Sequence, residues 1–472
     1  MTPDRVDPTR CEGLIIGLPV DPKRSLSNPK VKGINRPLFS RKPYVPEDKR
    51  LMDLTGSDPI IYEGDSHLLC VAPTGAGKGV SVIIPNLLYY GGPVVVFDPK
   101  GENYAVTAKR RREMGHKVIK LDPFGVFGED GDGFNPFDIL GIASSNVESD
   151  SQMLAELLSR TNRGQKEPFW DISATGLISG LIAHASTLED ESKRNLGTVW
   201  DWISSDDVSR NLAMILDTHG SQMNRMAYQE IAMFLQLPEK ETRPSVLSTA
   251  QTYLRFLLAP NVCRTFGKSS FTMSEIIDGE RVSVYMILPP DKLMSHASIL
   301  KVWVGVLFRA ITSRRTIPAK RTVFMLDECA QLGHFPYLES VITLCRGFGL
   351  QVWSFWQDLS QIRTNYERSW ETMLNNCDVL QIFGARNYMV ANEFAAITGT
   401  TSDEIRRTEV DQQVIVVRGG DPARSSRLNY LTDQPFQRLA DPNPLYSSGE
   451  RNHGTRSSSS GKEKQTGSGG TG

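Results

Sequence analysis

Long hydrophobic runs are missing from this chain. Nothing in its 472 residues approaches the ~20 consecutive apolar positions that cross a bilayer, and the richest stretches, 68–72 and 94–97, are strand-length. The first fifty residues are polar and proline-rich without the longer apolar region of a secretory leader, so none is expected. An excess of one charge is missing too. With 53 Lys+Arg against 54 Asp+Glu the formal net charge is −1, which excludes a uniformly basic nucleic-acid coat and leaves only local patches. The six cysteines form no CxxC pair and the seven histidines show no ligand spacing, which argues against a disulfide framework and a zinc site. What is present, 39% hydrophobic and 23% charged residues, suits a folded body of roughly three domains.

That body reads as α/β. Short, near-continuous apolar runs at 68–72, 94–98, 117–121, 281–288, 322–327, 350–355, 378–383 and 412–418 alternate with helical periods. Runs without polar alternation are expected of parallel strands covered on both faces. Between 147 and 258 the alternation gives way to helical periods alone, in a stretch that holds more acidic than basic side chains. The expected organisation is an extended arm over 1–56 with one strand near 14–18, and a nucleotide-binding fold in two parts, 57–146 and 259–446. An all-helical domain over 147–258 separates those parts, and a Ser/Gly-rich disordered tail follows over 447–472.

The strongest chemical signal is Ala72-Pro73-Thr74-Gly75-Ala76-Gly77-Lys78-Gly79, between an apolar strand and a helix. Glycines let backbone N–H groups turn in around phosphate oxygens, the helix start favours the same anion, and Lys78 would reach the outer phosphates. Thr74, Gly75, Ala76, Gly77, Lys78 and Gly79 are therefore the candidate ATP contacts. The competing reading is a glycine-rich turn with a solvated lysine. Gly79 stands where a serine or threonine usually ligates magnesium, and Ser81, two residues on, is expected on another side of the helix. The second signal is Val323-Phe324-Met325-Leu326-Asp327-Glu328, a buried strand ending in two acids: Asp327 for magnesium, Glu328 to polarise an attacking water. Alone, such an end is more often just a solvated strand end. Asp98-Pro99-Lys100-Gly101-Glu102 closes another strand at the edge where ligands of open α/β sheets collect, and reads equally well as a helix cap.

Several strings in order, 67–79, 97–104, 121–124, 135–137, 169–170, 326–328, 346–349 and 356–358, together resemble the coupling-protein ATPases of type IV secretion and conjugation, the TraG-type family. The resemblance implies a RecA-like P-loop motor that hydrolyses ATP with magnesium and works as a ring hexamer. It also implies partners: components of a secretion channel, and a relaxase–DNA complex or protein cargo. By position after Asp327, Arg346 matches the family's proposed arginine finger, supplied to a neighbour's nucleotide, and Gln357 its polar sensor. A plain surface arginine is the competing reading for Arg346. Family members usually begin with a membrane anchor. Either the chain is a variant without one or its anchor has been trimmed away; the polar start at Met1 favours a variant, expected to be cytoplasmic, peripheral at the inner membrane, and to assemble only with ligand or partner.

Two alternatives stay open: a DNA translocase or packaging motor unconnected with secretion, and a nucleotide-gated receptor with little turnover. The acidic helical stretch is the candidate cargo surface. Basic runs at 109–112 and 314–315 are candidates for DNA contact, with solvated helix faces the favoured reading.

Overall fold

Every side chain of the runs His67–Val71 (β3), Val94–Phe97 (β4), Val282–Met286 (β6), Thr322–Leu326 (β7) and Leu350–Trp356 (β8) is buried, as strands covered on both faces must be. They belong to one nine-stranded sheet, completed by Lys117–Leu121 (β5), Cys377–Ile382 (β9), Gln412–Val417 (β10) and Ala423–Ser426 (β11). The order across it is β11-β10-β9-β3-β8-β7-β4-β6-β5. From β9 to β5 each neighbouring pair is parallel, while β10 and β11 turn back antiparallel at one edge. This is a computed structural model, and it describes residues 13–20, 59–128, 131–159 and 169–445, apart from the side chain of Met294. The expected tail over 447–472 and most of the expected arm lie outside those residues.

All eight strands read from the main apolar runs are present. Two more carry little sequence signal. Ile60–Tyr62 (β2) has three residues, and β11 reads Ala-Arg-Ser-Ser with no apolar period. The arm's strand is Leu14–Gly17 (β1), antiparallel to β2. Side-chain amides stitch it to the body. Asn86 Oδ1 accepts from the Ile15 N–H at 2.8 Å and its Nδ2 donates to the Ile15 carbonyl at 2.9 Å. Gln381 and Gln413 both donate to the carbonyl of Ile16. These contacts satisfy an edge that would otherwise carry unpaired backbone groups.

Between β5 and β6 all described elements are helical. The six main ones are Val147–Leu158, Phe169–Ala185, Leu196–Ile203, Val208–His219, Arg225–Gln236 and Thr242–Leu254. Asparagine or aspartate side chains cap four of them: Asn146, Asn195, Asp207 and Asn224 each accept from a backbone N–H of the first turn. One apolar core runs from the sheet (Val71, Phe97, Phe324) through the helix Pro290–Thr312 (Leu300, Trp303) into this block (Leu177, Ile231). Leu157 packs over Gly305, where a Cβ would stand 2.5 Å from its Cδ2, and Arg309 Nε meets Asp150 Oδ1 at 2.8 Å.

The solvated-face reading of the basic runs is wrong for three arginines: Arg110 is buried, its Nε donating to the carbonyl of Leu88 at 3.5 Å, and Arg111 and Arg314 are buried too. Arg111, in the helix Glu102–Glu113, is fully buried. Its guanidinium donates to Ser283 Oγ at 2.9 Å and to the carbonyls of Leu87, Tyr90 and Gly92. Arg314 is likewise buried and donates to the carbonyls of Ile276, Ile277, Phe348 and Gly349. Arg111 and Arg314 each tie several chain ends together, and that need overrides the usual exposure of arginine. Lys109, Arg112 and Arg315 are exposed as expected.

Candidate nucleotide site

The loop after β3 lies at the carboxyl edge of the parallel strands. Pro73, Thr74 and Gly75 are exposed, and Ala76 to Gly79 half-buried. Gly75 (φ 76°) and Gly77 (φ 87°) occupy backbone conformations that side chains disfavour, so the loop's curvature depends on them. A π-helical turn, Gly79–Ile83, follows and runs into the helix Ile84–Tyr89. At Gly79 a Cβ would meet nothing within 4 Å, so the missing hydroxyl leaves open space rather than a filled contact. Ser81 Oγ lies 3.8 Å from where a Cβ of Gly77 would stand.

Two strands away across β8, β7 delivers Asp327 and Glu328 to the same edge. Lys78 Nζ lies 3.0 Å from Asp327 Oδ1 and 2.9 Å from Glu328 Oε2. Only the Glu328 contact has hydrogen-bond geometry, which leaves Asp327 Oδ1 a buried acceptor with an ion pair but no directed donor. Burial raises the pKa of Asp327 against the opposing pull of Lys78. Burial alone would lower that of Lys78, but the two carboxylates together hold it above the usual lysine value. Glu328 has φ 66°, the one non-glycine residue with positive φ among the described residues. Such strain in a residue with a Cβ persists only where the surroundings fix it. Gln361 does part of that, donating to Glu328 Oε1 at 3.3 Å while its own Oε1 accepts from the Gln357 N–H at 2.9 Å.

Gln357 follows β8 between the loop and the acids, since Val71 pairs with Trp356 and Leu326 with Ser354. Lys78, Asp327, Glu328 and Gln357 are thus brought together. Arg346 is not. It precedes β8 at the amino edge of the sheet, where its Nε donates to Asp65 Oδ1 at 2.8 Å and holds that carboxyl below the usual aspartate range. The five residues of β3, at about 3.3 Å each, separate Asp65 from the loop by roughly 16 Å. Arg346 therefore cannot reach the loop of its own chain.

Two further residues border the site. Asp98 follows β4 beside Asp327, and burial pushes its carboxyl up to about 7. It accepts from the Tyr104 N–H at 2.8 Å and from Asn103 Nδ2, so it serves a first-turn N–H of the helix Glu102–Glu113 although the N-cap residue itself is Gly101. Arg427, which nothing in the sequence pattern marks, reaches the loop from beyond β11.

No group of three or more His, Cys, Asp and Glu side chains among the described residues forms a metal cage. The buried, undirected Asp327 Oδ1 fits a magnesium ion that takes one or two protein carboxylates and completes its shell with water and phosphate.

A family model described as "Type IV secretory system Conjugative DNA transfer" matches residues 28–402. Among curated relatives, the conjugal transfer protein TraG of Escherichia coli is 27% identical over 361 residues, 72% of this chain and 56% of that protein. TraG of Agrobacterium fabrum is 28% identical over 346 residues, 71% and 51%. The type IV secretion system-coupling protein VirD4 of Bartonella henselae is 25% identical over 406 residues, 82% and 61%. The chain thus spans about half to three-fifths of the length of these relatives. Among solved structures, the unbound coupling protein TrwBdeltaN70 superposes with a TM-score of 0.61 at 18% identity, covering 78% of this chain and 86% of that one. TrwB in complex with ADP and Mg2+ gives 0.60 at 17%, covering 77% and 85%. The likeness to TrwB is one of fold, the RecA-like P-loop architecture. No helix among the described residues is long and apolar enough to cross a membrane. By its sequence match the chain belongs to the type IV secretory system conjugative DNA transfer family.

Proposed function

We propose that this chain is an ATP-hydrolysing coupling protein that recruits a relaxase–DNA complex or a protein cargo and drives it to a type IV secretion channel. The observation that carries the reading is the convergence of Lys78, Asp327 and Glu328 on one sheet edge. There the loop would wrap the phosphates through backbone N–H groups, and Lys78 would leave its carboxylate partners for the outer phosphates. Asp327, with its undirected Oδ1, would hold magnesium; when bound, that ion neutralises charge between the phosphates. Glu328, freed from Lys78, is placed to accept a proton from the attacking water, and Gln357 to orient a polar group beside it.

Arg346 supports assembly into a ring. Too far from its own loop, it serves a phosphate only if a second copy presents one, and a guanidinium supplied in trans stabilises charge developing on the transferred phosphoryl group. A hexamer formed with ligand or partner is the corresponding assembly. The helical block 147–258, acidic on balance, is the proposed cargo surface, and the working location is the cytoplasmic side of the inner membrane.

Phosphate release from ATP, measured with and without single- and double-stranded DNA and with a secretion-channel component, tests the reading. Turnover raised by the channel component or cargo supports a coupling protein. Turnover driven by double-stranded DNA alone favours a free translocase, and binding without turnover a nucleotide-gated receptor.

A further inference from the structure

Arg427 is an arginine buried beside the candidate anion site. Its exposure is 8%, and among the described residues no carboxylate lies within ion-pair distance of it, Asp411 acting on its charge only from further away. The guanidinium lies over the ring of Phe383, 4.3 Å from its centroid, and Nη1 donates to the carbonyl oxygen of Ala76 at 2.5 Å. Nε is buried with no hydrogen-bond partner. Phe383 follows β9 and its N–H donates to the Val71 carbonyl, so ring and loop are fixed to adjacent strands. The segment after Arg427 continues along the loop's helix, where the Tyr430 N–H meets the Val80 carbonyl at 3.4 Å.

A buried, unpaired cation is costly, and a ring face offsets only part of that. Its contact with the loop is to a carbonyl, not to a side chain, and that choice has a geometric consequence. The Ala76–Gly77 peptide is planar and trans, so its C=O and N–H point in opposite directions. Gly77 has φ 87° and no Cβ, so its own sterics do little to fix the orientation of that peptide. Holding the Ala76 oxygen on one side fixes where the Gly77 N–H points on the other. The charge also polarises the amide and makes that N–H a stronger donor.

We propose that Arg427 is a positioning residue of the phosphate loop, which turns the Ala76–Gly77 peptide so that the Gly77 N–H faces the nucleotide's phosphates. The proposal rests on the nucleotide reading above. Through it the C-terminal edge of the sheet sets the loop's readiness to bind, and any movement of β10–β11 against β9 would be felt at the phosphates.

The test is equilibrium binding of fluorescent N-methylanthraniloyl-ADP with magnesium to the full chain, its Arg427→Lys and Arg427→Met variants and Phe383→Leu, with thermal unfolding alongside. Losing a charge-assisted hydrogen bond is expected to weaken binding roughly tenfold in Arg427→Met. Arg427→Lys, which can still donate to the carbonyl, is expected to stay within about threefold of the parent. Phe383→Leu keeps the guanidinium but loosens it, and is expected to bind about threefold more weakly. A folded Arg427→Met that binds as the parent does, or Arg427→Lys as weak as Arg427→Met, overturns the proposal. If Arg427→Met does not fold, unchanged binding by Phe383→Leu overturns it. A parent chain that does not bind ADP at all contradicts the nucleotide reading instead.

Discussion

Glu328 reaches Lys78 from a left-handed backbone position and holds its Nζ at 2.9 Å. The candidate base and the candidate phosphate ligand are thus each other's partner. On the proposed reading, phosphates that draw Lys78 away would also free the carboxylate proposed to activate water. Strain at Glu328 is a reason for the release to be easy, since a residue in a sparsely populated conformation is kept there by its contacts.

The position of Arg346 at the opposite edge gives a mixing prediction. Arg346→Ala and Lys78→Ala are each expected to be inactive, and their mixture to regain part of the turnover, because an intact lysine then meets an intact arginine across one interface. Co-assembly shown by sedimentation with no recovered phosphate release would contradict the trans role.

Asp98 predicts a pH signature of stability. Its folded pKa of about 7 lies above the ordinary aspartate value because of burial. Between those values the folded chain binds more protons than the unfolded one, so this group's contribution falls as pH rises through the window. Relative to the parent, Asp98→Asn is expected to become more stable between pH 4 and pH 8, by a few kcal/mol at most. Denaturant titrations across that range check it, and a difference that does not change with pH would remove Asp98 as the source.

Arg111 predicts that one basic run is structural. Arg111→Met strands the carbonyls of Leu87, Tyr90 and Gly92 and is expected to cost roughly 3 kcal/mol. The exposed neighbours Lys109→Ala and Arg112→Ala are expected to stay within about 0.5 kcal/mol of the parent. Chemical denaturation of the three variants decides; equal effects would mean that the run acts as a solvated face after all.

Much of this site was legible because its chemistry is local. A glycine-rich loop between an apolar strand and a helix, and an apolar strand ending in two acids, each declare their position on a parallel sheet in a few residues. The eight main strands were legible for the same reason, since burial on both faces leaves unbroken apolar runs. What stayed hidden depends on neighbours distant in the chain. Arg427 meets Ala76 only because β11 folds back beside β9 through β10. Arg111 and Arg314 look like any basic run until the carbonyls around them are known. β2 and β11 are too short to show a period. The conformation of Glu328 comes from its packing, which no residue type announces.

ATP binding and phosphate release, measured side by side on the parent chain, Lys78→Ala and Glu328→Gln, bear most directly on the division of roles at this site. Lys78→Ala is expected to lose nucleotide binding. Glu328→Gln is expected to bind ATP at least as well as the parent, since the neutral amide gives up Lys78 more readily, while its hydrolysis falls by about a hundredfold or more. Undiminished phosphate release by Glu328→Gln, or undiminished binding by Lys78→Ala, would contradict it.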